Sequence, residues 1–293
     1  MDEREKYIEA GRIAGTALKY GGNMIKVGAS MLEVTEKVEE KVLDLGGEFA
    51  FPPQISLNEI AAHYCAEPDD KIVFRKGDVA KLDVGVMIDG YIGDNALTVD
   101  LGDNEKIVKA AREGLNNALK LVGPGVAISD IGRAIQDTIT KYGFAPVRNL
   151  SGHALSQYVY HDSPSIPNFD TGDKTRLERG MVIAIEPFAS TGAGIIFESS
   201  NANIFSMKQK KPVRNMITRQ VLKEIESFKD MPFTTRWLTK KFPEPKVNFA
   251  LRELMQQDML NSYPPLPDRD GGLVSQAEHT VIVDDDPIIT TKI

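Results

Sequence analysis

The sequence predicts a mixed α+β fold, in which groups of helices and groups of strands follow one another. Three observations support this prediction: helical spacing near the N-terminus, extended apolar segments over residues 79–87 and 91–101, and a second group of helices and strands after them. Because helices and strands do not alternate singly, the pattern differs from the βαβ units of a parallel sheet.

The first two helices are predicted over residues 3–20 and about 30–45. The second helix has an apolar stripe at helical spacing, formed by Met31, Val34, Val38 and Val42. Gly46-Gly47 is predicted to end this helix, since glycine is common just after a helix C-terminus.

Two further helices are predicted over residues 104–122 and 128–141. Ser129 or Asp130 is predicted to cap the second one, because both side chains can accept a hydrogen bond from the first turn. Gly143 is predicted to stop it.

A short internal echo suggests two related halves. The acid Asp83 stands six positions after Gly77, and Glu186 stands six positions after Gly180. In both segments a basic residue precedes the glycine and an apolar run leads to the acid. Such short runs also recur by chance, so the echo alone leaves both explanations open.

The segment of about 205–262 has a different character. It is rich in Lys, Arg, Glu and Gln, and helical patches are predicted over residues 221–228 and 249–260. Prolines punctuate it at Pro232, Pro243, Pro245, Pro264 and Pro265. We therefore expect one continuous domain, residues 1–293, with a helical insertion.

Composition narrows the class of protein. The net charge of −7 argues against a DNA- or RNA-binding protein that works by broad phosphate neutralisation. The single cysteine, Cys65, rules out an internal disulfide and fits a reducing compartment. No signal peptide or membrane-length apolar run is evident, so the sequence predicts a soluble, cytoplasmic protein with no membrane partner.

Two acids lie on the predicted strand pair. Asp89-Gly90 favours a two-residue hairpin turn, which places Gly85 opposite Asp94. Asp83 then shares a sheet face with Asp94 and lies diagonally across from it. Two like charges on an apolar sheet repel each other, and a divalent cation between them would remove the conflict.

Three more residues complete a candidate metal site. Glu186 interrupts a predicted strand over residues 181–189, and Glu278 interrupts another over residues 273–284. His153 follows Ser-Gly, where the backbone can approach closely. Each residue alone also fits a bland role, as a strand end, an edge position or an ordinary histidine. Together, four carboxylates and one imidazole suit two bridged ions of Mn²⁺, Fe²⁺, Co²⁺ or Zn²⁺.

The order of these motifs resembles that of the methionine aminopeptidases. The matching motifs span residues 51–283 and are Asn58-Glu59 with His63, Lys81-Leu82-Asp83-Val84-Gly85, Asp89-Gly90 with Asp94, Ser151-Gly152-His153, Ile185-Glu186-Pro187 and Glu278-His279-Thr280. The resemblance implies the pita-bread fold, whose pseudo-two-fold halves would account for the echo. The helical segment resembles the insertion of the type 2 class, and the short N-terminus resembles the archaeal form.

The resemblance also implies an activity and a set of roles. The enzyme would remove the initiator methionine from nascent proteins, with two divalent ions (Co, Mn, Fe or Zn) activating the attacking hydroxide. The metal ligands would be Asp83, Asp94, His153, Glu186 and Glu278, with Asp94 and Glu278 bridging. Glu186 would also move the proton from the attacking group to the leaving amine.

Substrate contacts are implied in the same way. His63 and His161 would contact the scissile peptide, and Phe51 and Tyr160 would line the pocket for the methionine side chain. His279 would support the site without binding metal. Three positions depart from the family pattern and place the shape of the pocket in question: Asn95, Asp162 and Ala277.

Partners and alternatives follow from the resemblance. The expected partner is the N-terminal methionine of nascent polypeptides, with transient ribosome association and a monomeric protein. One alternative is an Xaa-Pro aminopeptidase or prolidase with the same ligands, although those enzymes carry an N-terminal domain for which His63 comes too early. The other is a non-catalytic pita-bread protein that binds RNA or ribosomes, which the acidic charge and the full set of ligands disfavour.

Overall fold

The computed structural model describes residues 1–199 and 201–293. Its helices are α1 (Glu3–Met24), α2 (Met31–Asp44), α3 (Glu105–Leu119), α4 (Ile128–Lys141), α5 (Met216–Ile225), α6 (Thr235–Thr239) and α7 (Glu244–Gln256), with a 3₁₀ turn at Glu226–Phe228. Its strands are β1 (Glu48–Phe49), β2 (Gln54–Leu57), β3 (Val79–Ile88), β4 (Tyr91–Asp100), β5 (Ala145–Pro146), β6 (Ser151–Ser156), β7 (Val159–Pro167), β8 (Val182–Ile185), β9 (Phe188–Ser190), β10 (Ile204–Met207), β11 (Phe233–Thr234), β12 (Leu260–Tyr263), β13 (Val274–Gln276), β14 (His279–Ile282) and β15 (Ile288–Ile289). This content confirms the predicted α+β class.

The first half packs α1 and α2 against the strand pair β3–β4. Asp2 and Glu5 form a reciprocal cap at the start of α1, and Ser30 caps α2. The predicted apolar stripe of α2 is buried in the core that it shares with β3. Gly46 has a φ of +83°, so the helix ends where the sequence predicts.

The β3–β4 hairpin has the predicted register. Gly85 pairs with Asp94, and Asp83 pairs with Ala96. Asp89 and Gly90 have φ angles of +50° and +84°, as a type I′ turn requires. Asp83 and Asp94 therefore lie on the same face of the hairpin.

The second half repeats the arrangement, with α3 and α4 packed on a second core. The predicted cap of α4 is wrong: the N-cap residue is Ala127, and its side chain makes no capping bond. Ser129 and Asp130 lie inside the first turn. A backbone bridge between Ala127 and Arg176 already fixes the start of α4, which makes a side-chain cap unnecessary.

The strand predicted over residues 181–189 is interrupted at Glu186, and the strand predicted over residues 273–284 is interrupted at Glu278. β8 and β9 pair with β14 and β13 in one continuous antiparallel register, and the gap falls where Glu186 stands opposite Glu278. Among the backbone bonds of the described residues, the one from Ala277 N to Pro187 O, at 3.2 Å, crosses the gap. Pro187 has no N–H to donate, so the ladder cannot continue regularly there.

The predicted insertion is not only helical. β10 pairs with β11 and β12 in a three-stranded sheet, and α5, α6 and α7 pack on it around a separate apolar core. The strands at its two ends, β10 and β12, lie side by side, so the segment leaves and rejoins the rest of the chain at one place. Its extent as a type 2 insertion in one domain stays a prediction.

None of the helices in the described part of the chain combines the length and the apolar character that crossing a membrane requires.

Candidate metal centre and active-site cavity

The two halves and the segment of about 205–262 enclose a cavity of about 320 Å³. It brings together all nine side chains for which the sequence predicts a metal, catalytic or substrate role. These residues are Phe51, His63, Asp83, Asp94, His153, Tyr160, His161, Glu186 and Glu278. Their roles stay predictions, while their convergence is a property of the fold.

The four carboxylates enter the cavity from two pairs of antiparallel segments. Asp83 and Asp94 come from the β3–β4 hairpin. Glu186 follows the last residue of β8, and Glu278 precedes the first residue of β14. Each pair places its acids on the face that borders the cavity. The two acids of the sequence echo, Asp83 and Glu186, therefore lie in the same cavity.

The four carboxylates lie close to one another, with Asp94 and Glu278 buried and Asp83 and Glu186 half-buried. Burial raises the pKa of Asp83 to about 7, and burial together with the charge of Asp83 raises the pKa of Asp94. The pKa of Glu186 and that of Glu278 rise for the same two reasons, desolvation and neighbouring carboxylates. In the described chain, no Lys or Arg nitrogen lies within 4.0 Å of these acids.

Several buried carboxylate oxygens have no hydrogen-bond partner. They are Asp83 Oδ1, Asp94 Oδ1 and Glu278 Oε2. Buried polar atoms are nearly always satisfied, so these orphaned oxygens are available to a cation. An oxygen-rich donor set with one imidazole fits divalent ions such as Mn²⁺, Fe²⁺, Co²⁺ and Zn²⁺.

His153 presents a nitrogen to this group. Its Nε2 lies 3.8 Å from Asp94 Oδ2 and 3.8 Å from Glu186 Oε1. Burial lowers the pKa of His153 to about 3, so its ring is neutral. A proton on Nδ1 would be donated to the Ala154 carbonyl oxygen at 3.2 Å, which leaves the Nε2 lone pair free for a metal. Donor atoms of Asp94, His153 and Glu278 lie within 4.8 Å of one another.

The other two cavity histidines flank this group. The His153 and His161 rings are 4.5 Å apart between centroids. His63 has a φ of +67°, and its backbone N–H donates to Gln54 Oε1 at 2.8 Å. Burial lowers the pKa of His63 to about 4 and, although His161 opens onto the cavity, desolvation lowers its pKa to about 4 as well. Both rings are therefore neutral N–H donors at neutral pH.

The apolar wall of the cavity depends on Gly85. A Cβ at this position would overlap the Phe51 ring, so only glycine lets that ring lie against β3. Also lining the cavity, Tyr160 bonds through its hydroxyl to the Tyr263 hydroxyl, and the Tyr263 ring meets His63 edge-on at 5.9 Å. Tyr263 ends β12, so the segment of about 205–262 supplies part of the cavity.

Sequence reasoning missed several residues at or beside the cavity. Ile204, Pro232 and Tyr263 line the cavity, but nothing in their local pattern indicated that their segment would reach the site. Gln276, which borders the acids although it does not line the cavity, was also missed: its Nε2 lies 3.5 Å from Glu186 Oε2. Its position two residues before Glu278, on the same strand face, was an available signal.

The remaining predicted residues lie around the cavity. His279 does not line it, and its Nδ1 lies 2.8 Å from Thr291 Oγ1. Of the three departures, Asp162 lines the cavity and accepts from Ser156 Oγ at 2.6 Å. Ala277 packs in the second core, and Asn95 is fully buried with neither amide atom bonded.

Sequence comparison gives full-length relatives. The model of metallopeptidase family M24 matches residues 5–232. The methionine aminopeptidase of Archaeoglobus fulgidus is 48% identical over 296 residues, with 100% of both chains covered. That of Thermococcus onnurineus is 46% identical over 287 residues, with 97% of each chain covered.

Structural comparison agrees. The crystal structure of a methionine aminopeptidase from Thermotoga maritima has a TM-score of 0.73 at 25% identity and covers 99% of this chain and 97% of its own. A thermophilic Arx1 superposes with a TM-score of 0.86 at 16% identity, covering 99% of this chain and 91% of its own, which bears on the fold alone.

These superpositions confirm the predicted pita-bread fold, and the match to a metallopeptidase family implies the use of divalent metal. The chain belongs to metallopeptidase family M24 and, within it, to the methionine aminopeptidases.

Proposed function

We propose that this chain removes the N-terminal methionine from nascent polypeptides at the 320 Å³ cavity, with two divalent ions. One observation carries this proposal: four carboxylates, two of them on fully buried residues, one neutral imidazole beside them and two further neutral histidines share that cavity. The first five groups are a donor set for metal, and the other two can donate hydrogen bonds to a substrate carbonyl.

Asp83, Asp94, His153, Glu186 and Glu278 would hold the ions, with Asp94 and Glu278 shared between them. When bound, divalent ions supply Lewis acidity and lower the pKa of water toward neutrality. The orphaned oxygens of Asp83, Asp94 and Glu278 support this assignment, because they have no other partner to neutralise them.

The protein groups then divide the remaining work. The Glu186 carboxylate takes the proton from the attacking water and gives it to the leaving amine. His63 and His161 donate their N–H groups to the scissile carbonyl, where negative charge develops. Their lowered pKa values keep both rings neutral, so they act as donors without adding charge beside the metal ligands.

The apolar end of the cavity would select methionine. Phe51 and Tyr160 present aromatic faces to a thioether, and such sulfur–aromatic contacts are favourable. We expect the protein to be a monomer in the cytoplasm. Transient contact with the ribosome is expected because nascent N-termini become available there.

Peptide hydrolysis tests the proposal. Metal-free protein would be titrated with Mn²⁺, Fe²⁺, Co²⁺ or Zn²⁺, and cleavage of Met-Ala-Ser would be compared with cleavage of Ala-Pro peptides. We expect metal-dependent release of methionine, with two ions per chain by metal analysis. Preference for Ala-Pro would instead support the prolidase alternative, and absence of metal binding would support the non-catalytic one.

A further inference from the structure

A seam of hydrogen bonds joins the strand of Asp94 to the segment of Glu278. At its centre, Glu278 N donates to the Ala96 carbonyl oxygen at 3.0 Å. The residues on either side follow the same antiparallel register, with Asp94 next to Thr280 and Thr98 next to Gln276. This seam connects the two halves of the molecule directly at the carboxylate cluster.

Threonine hydroxyls make the outer bonds of the seam. Thr280 Oγ1 accepts from Asp94 N at 2.8 Å and donates to Asp94 O at 2.8 Å. Thr98 Oγ1 accepts from Gln276 N at 2.9 Å and donates to Gln276 O at 2.7 Å. Each hydroxyl thus satisfies both backbone groups of the residue opposite, as a neighbouring strand would.

The two threonines are equivalent by the pseudo-two-fold arrangement. Each stands two residues after the central residue of its own segment: Thr98 after Ala96, and Thr280 after Glu278. Both side chains are buried, with exposed fractions of 7% for Thr98 and 0% for Thr280. Water therefore cannot replace either hydroxyl without opening the interior.

The seam acts on the carboxylate cluster directly at Asp94 and Glu278 and indirectly through Gln276. Thr280 holds the backbone of Asp94, and the central bond holds the backbone of Glu278. Thr98 holds the backbone of Gln276, whose side-chain Nε2 lies 3.5 Å from Glu186 Oε2. The acids repel one another when no cation is present, so something other than their own attraction must fix their spacing.

We propose that Thr98 and Thr280 are positioning residues, which fix the separation of the Asp94 and Glu278 carboxylates and thereby set the affinity of the site for metal. The inference rests on the proposed function, in which these two carboxylates are shared ligands. Neither threonine touches metal or substrate. The effect passes through the backbone of Asp94 and through Gln276.

Calorimetric titration of the metal-free protein with Co²⁺ tests the proposal, and the visible spectrum of bound Co²⁺ reports its coordination geometry. Thr280→Val keeps the side-chain shape and removes the hydroxyl, so we expect Co²⁺ affinity to fall by about 10–100-fold, with an altered spectrum. Thr280→Ser should restore both, because it keeps the hydroxyl. Thr98→Val should show a smaller loss, since it acts through Gln276.

The matched control is Thr35→Val, because Thr35 is equally buried on α2 and its hydroxyl bonds only to Met31 O at 2.9 Å. It should lower the melting temperature without changing Co²⁺ affinity or spectrum. Wild-type affinity and spectrum in folded Thr280→Val would overturn the proposal, as would an equal affinity loss in Thr35→Val. Should Thr280→Val fail to fold, unchanged Co²⁺ binding by Thr98→Val would overturn it.

The same titration separates this inference from the proposed function. If the wild-type protein binds no Co²⁺, the proposed metal site itself is wrong. If the wild-type protein binds Co²⁺ and the threonine variants bind it equally well, the site stands and only the role of the seam is lost.

Discussion

Two groups of charged side chains in the interior of this molecule differ in whether their charged atoms have ion-pair or hydrogen-bond partners. Glu39 on α2 is 5% exposed and accepts bonds from Arg236 Nη1 at 2.9 Å and from Trp237 Nε1 at 2.6 Å. Arg236 is 2% exposed, and it ties α6 to the first half of the chain. Every charge there has its counterpart inside the protein.

The carboxylate cluster is the opposite case. Asp94 and Glu278 are as deeply buried, with exposed fractions of 3% and 2%. Yet Asp83, Asp94 and Glu278 each keep an oxygen for which the described residues offer no partner. A buried charge that is fully paired holds structure together, whereas a buried charge that is left unpaired costs stability and is kept for a ligand. The structural ion pair and the candidate metal site therefore differ in hydrogen-bond satisfaction, not in burial.

The largest effect is expected when a ligand of the cluster is neutralised. Asp94→Asn or Glu278→Gln should abolish metal binding and lower turnover by at least about 1,000-fold, since metal activation supplies several kcal/mol. The metal-free variants should be no less stable than the metal-free wild type, because each removes an unbalanced buried charge. Metal analysis, kinetics and thermal unfolding measure the three quantities.

Asp268→Asn provides the matched control for Asp94→Asn. Asp268 is 2% exposed, but its oxygens accept from Ser190 Oγ at 2.8 Å and from three backbone N–H groups. This variant should lose stability and keep metal. Full activity in Asp94→Asn would contradict the assignment of the cluster.

Breaking the satisfied pair should have the opposite profile. Glu39→Gln leaves buried Arg236 with only the exposed Glu36 carboxylate, at 3.9 Å, as a counter-charge, so the free energy of unfolding should fall by about 3–5 kcal/mol. Metal content per folded chain should not change. Denaturant unfolding of the metal-free and metal-loaded protein would show this, and a stability equal to that of the wild type would remove the distinction between the two groups.

The histidines beside the cluster should affect rate without affecting metal. His63→Ala and His161→Ala each remove a neutral donor from the cavity, so kcat should fall by about 100–1,000-fold. Metal occupancy should remain that of the wild type. Loss of metal in both variants would instead make these residues ligands and would enlarge the cluster.

The smallest expected effect is a dependence on pH. Because the pKa of Asp83 in the folded, metal-free protein is raised from 3.8 to about 7, its contribution to stability is complete below pH 3.8 and is lost as the pH rises through 7. Asp83→Asn cannot ionise and keeps this contribution. Its melting temperature relative to that of the wild type, both in EDTA, should therefore increase between about pH 4 and pH 7.

With saturating metal, the wild-type protein should instead have the higher melting temperature of the two, since bound metal favours the ionised carboxylate. A difference in melting temperature that does not vary with pH would show that Asp83 has an ordinary pKa in the folded protein.

Local patterns predicted much of the fold and of the candidate site. Asp89-Gly90 has the chemistry of a tight hairpin turn, which fixes the register that places Asp83 and Asp94 on one face. Helical periodicity gave α2 its buried stripe, and Gly46 its end. These predictions succeed because each depends on residues that are near one another in the chain.

Contacts between distant segments gave no such signal. The interruption of two strands where Glu186 faces Glu278 depends on pairing across about 90 residues. The start of α4 at Ala127 depends on a bridge to Arg176, and the contribution of Tyr263 to the cavity depends on how its segment folds back. The strand pattern places Gln276 on the same face as Glu278, but the sequence did not indicate that its side chain would lie beside Glu186.

The sequence by itself determined the donor types, their order and the one hairpin that pairs two of them, because residue chemistry and turn geometry are local. Only the tertiary structure decided that the four acids meet without a counter-charge, and that threonine hydroxyls join the strands that carry Asp94 and Glu278. The physical reason is that burial and hydrogen-bond satisfaction depend on all neighbours of a group at once, and most of those neighbours lie far away in the chain.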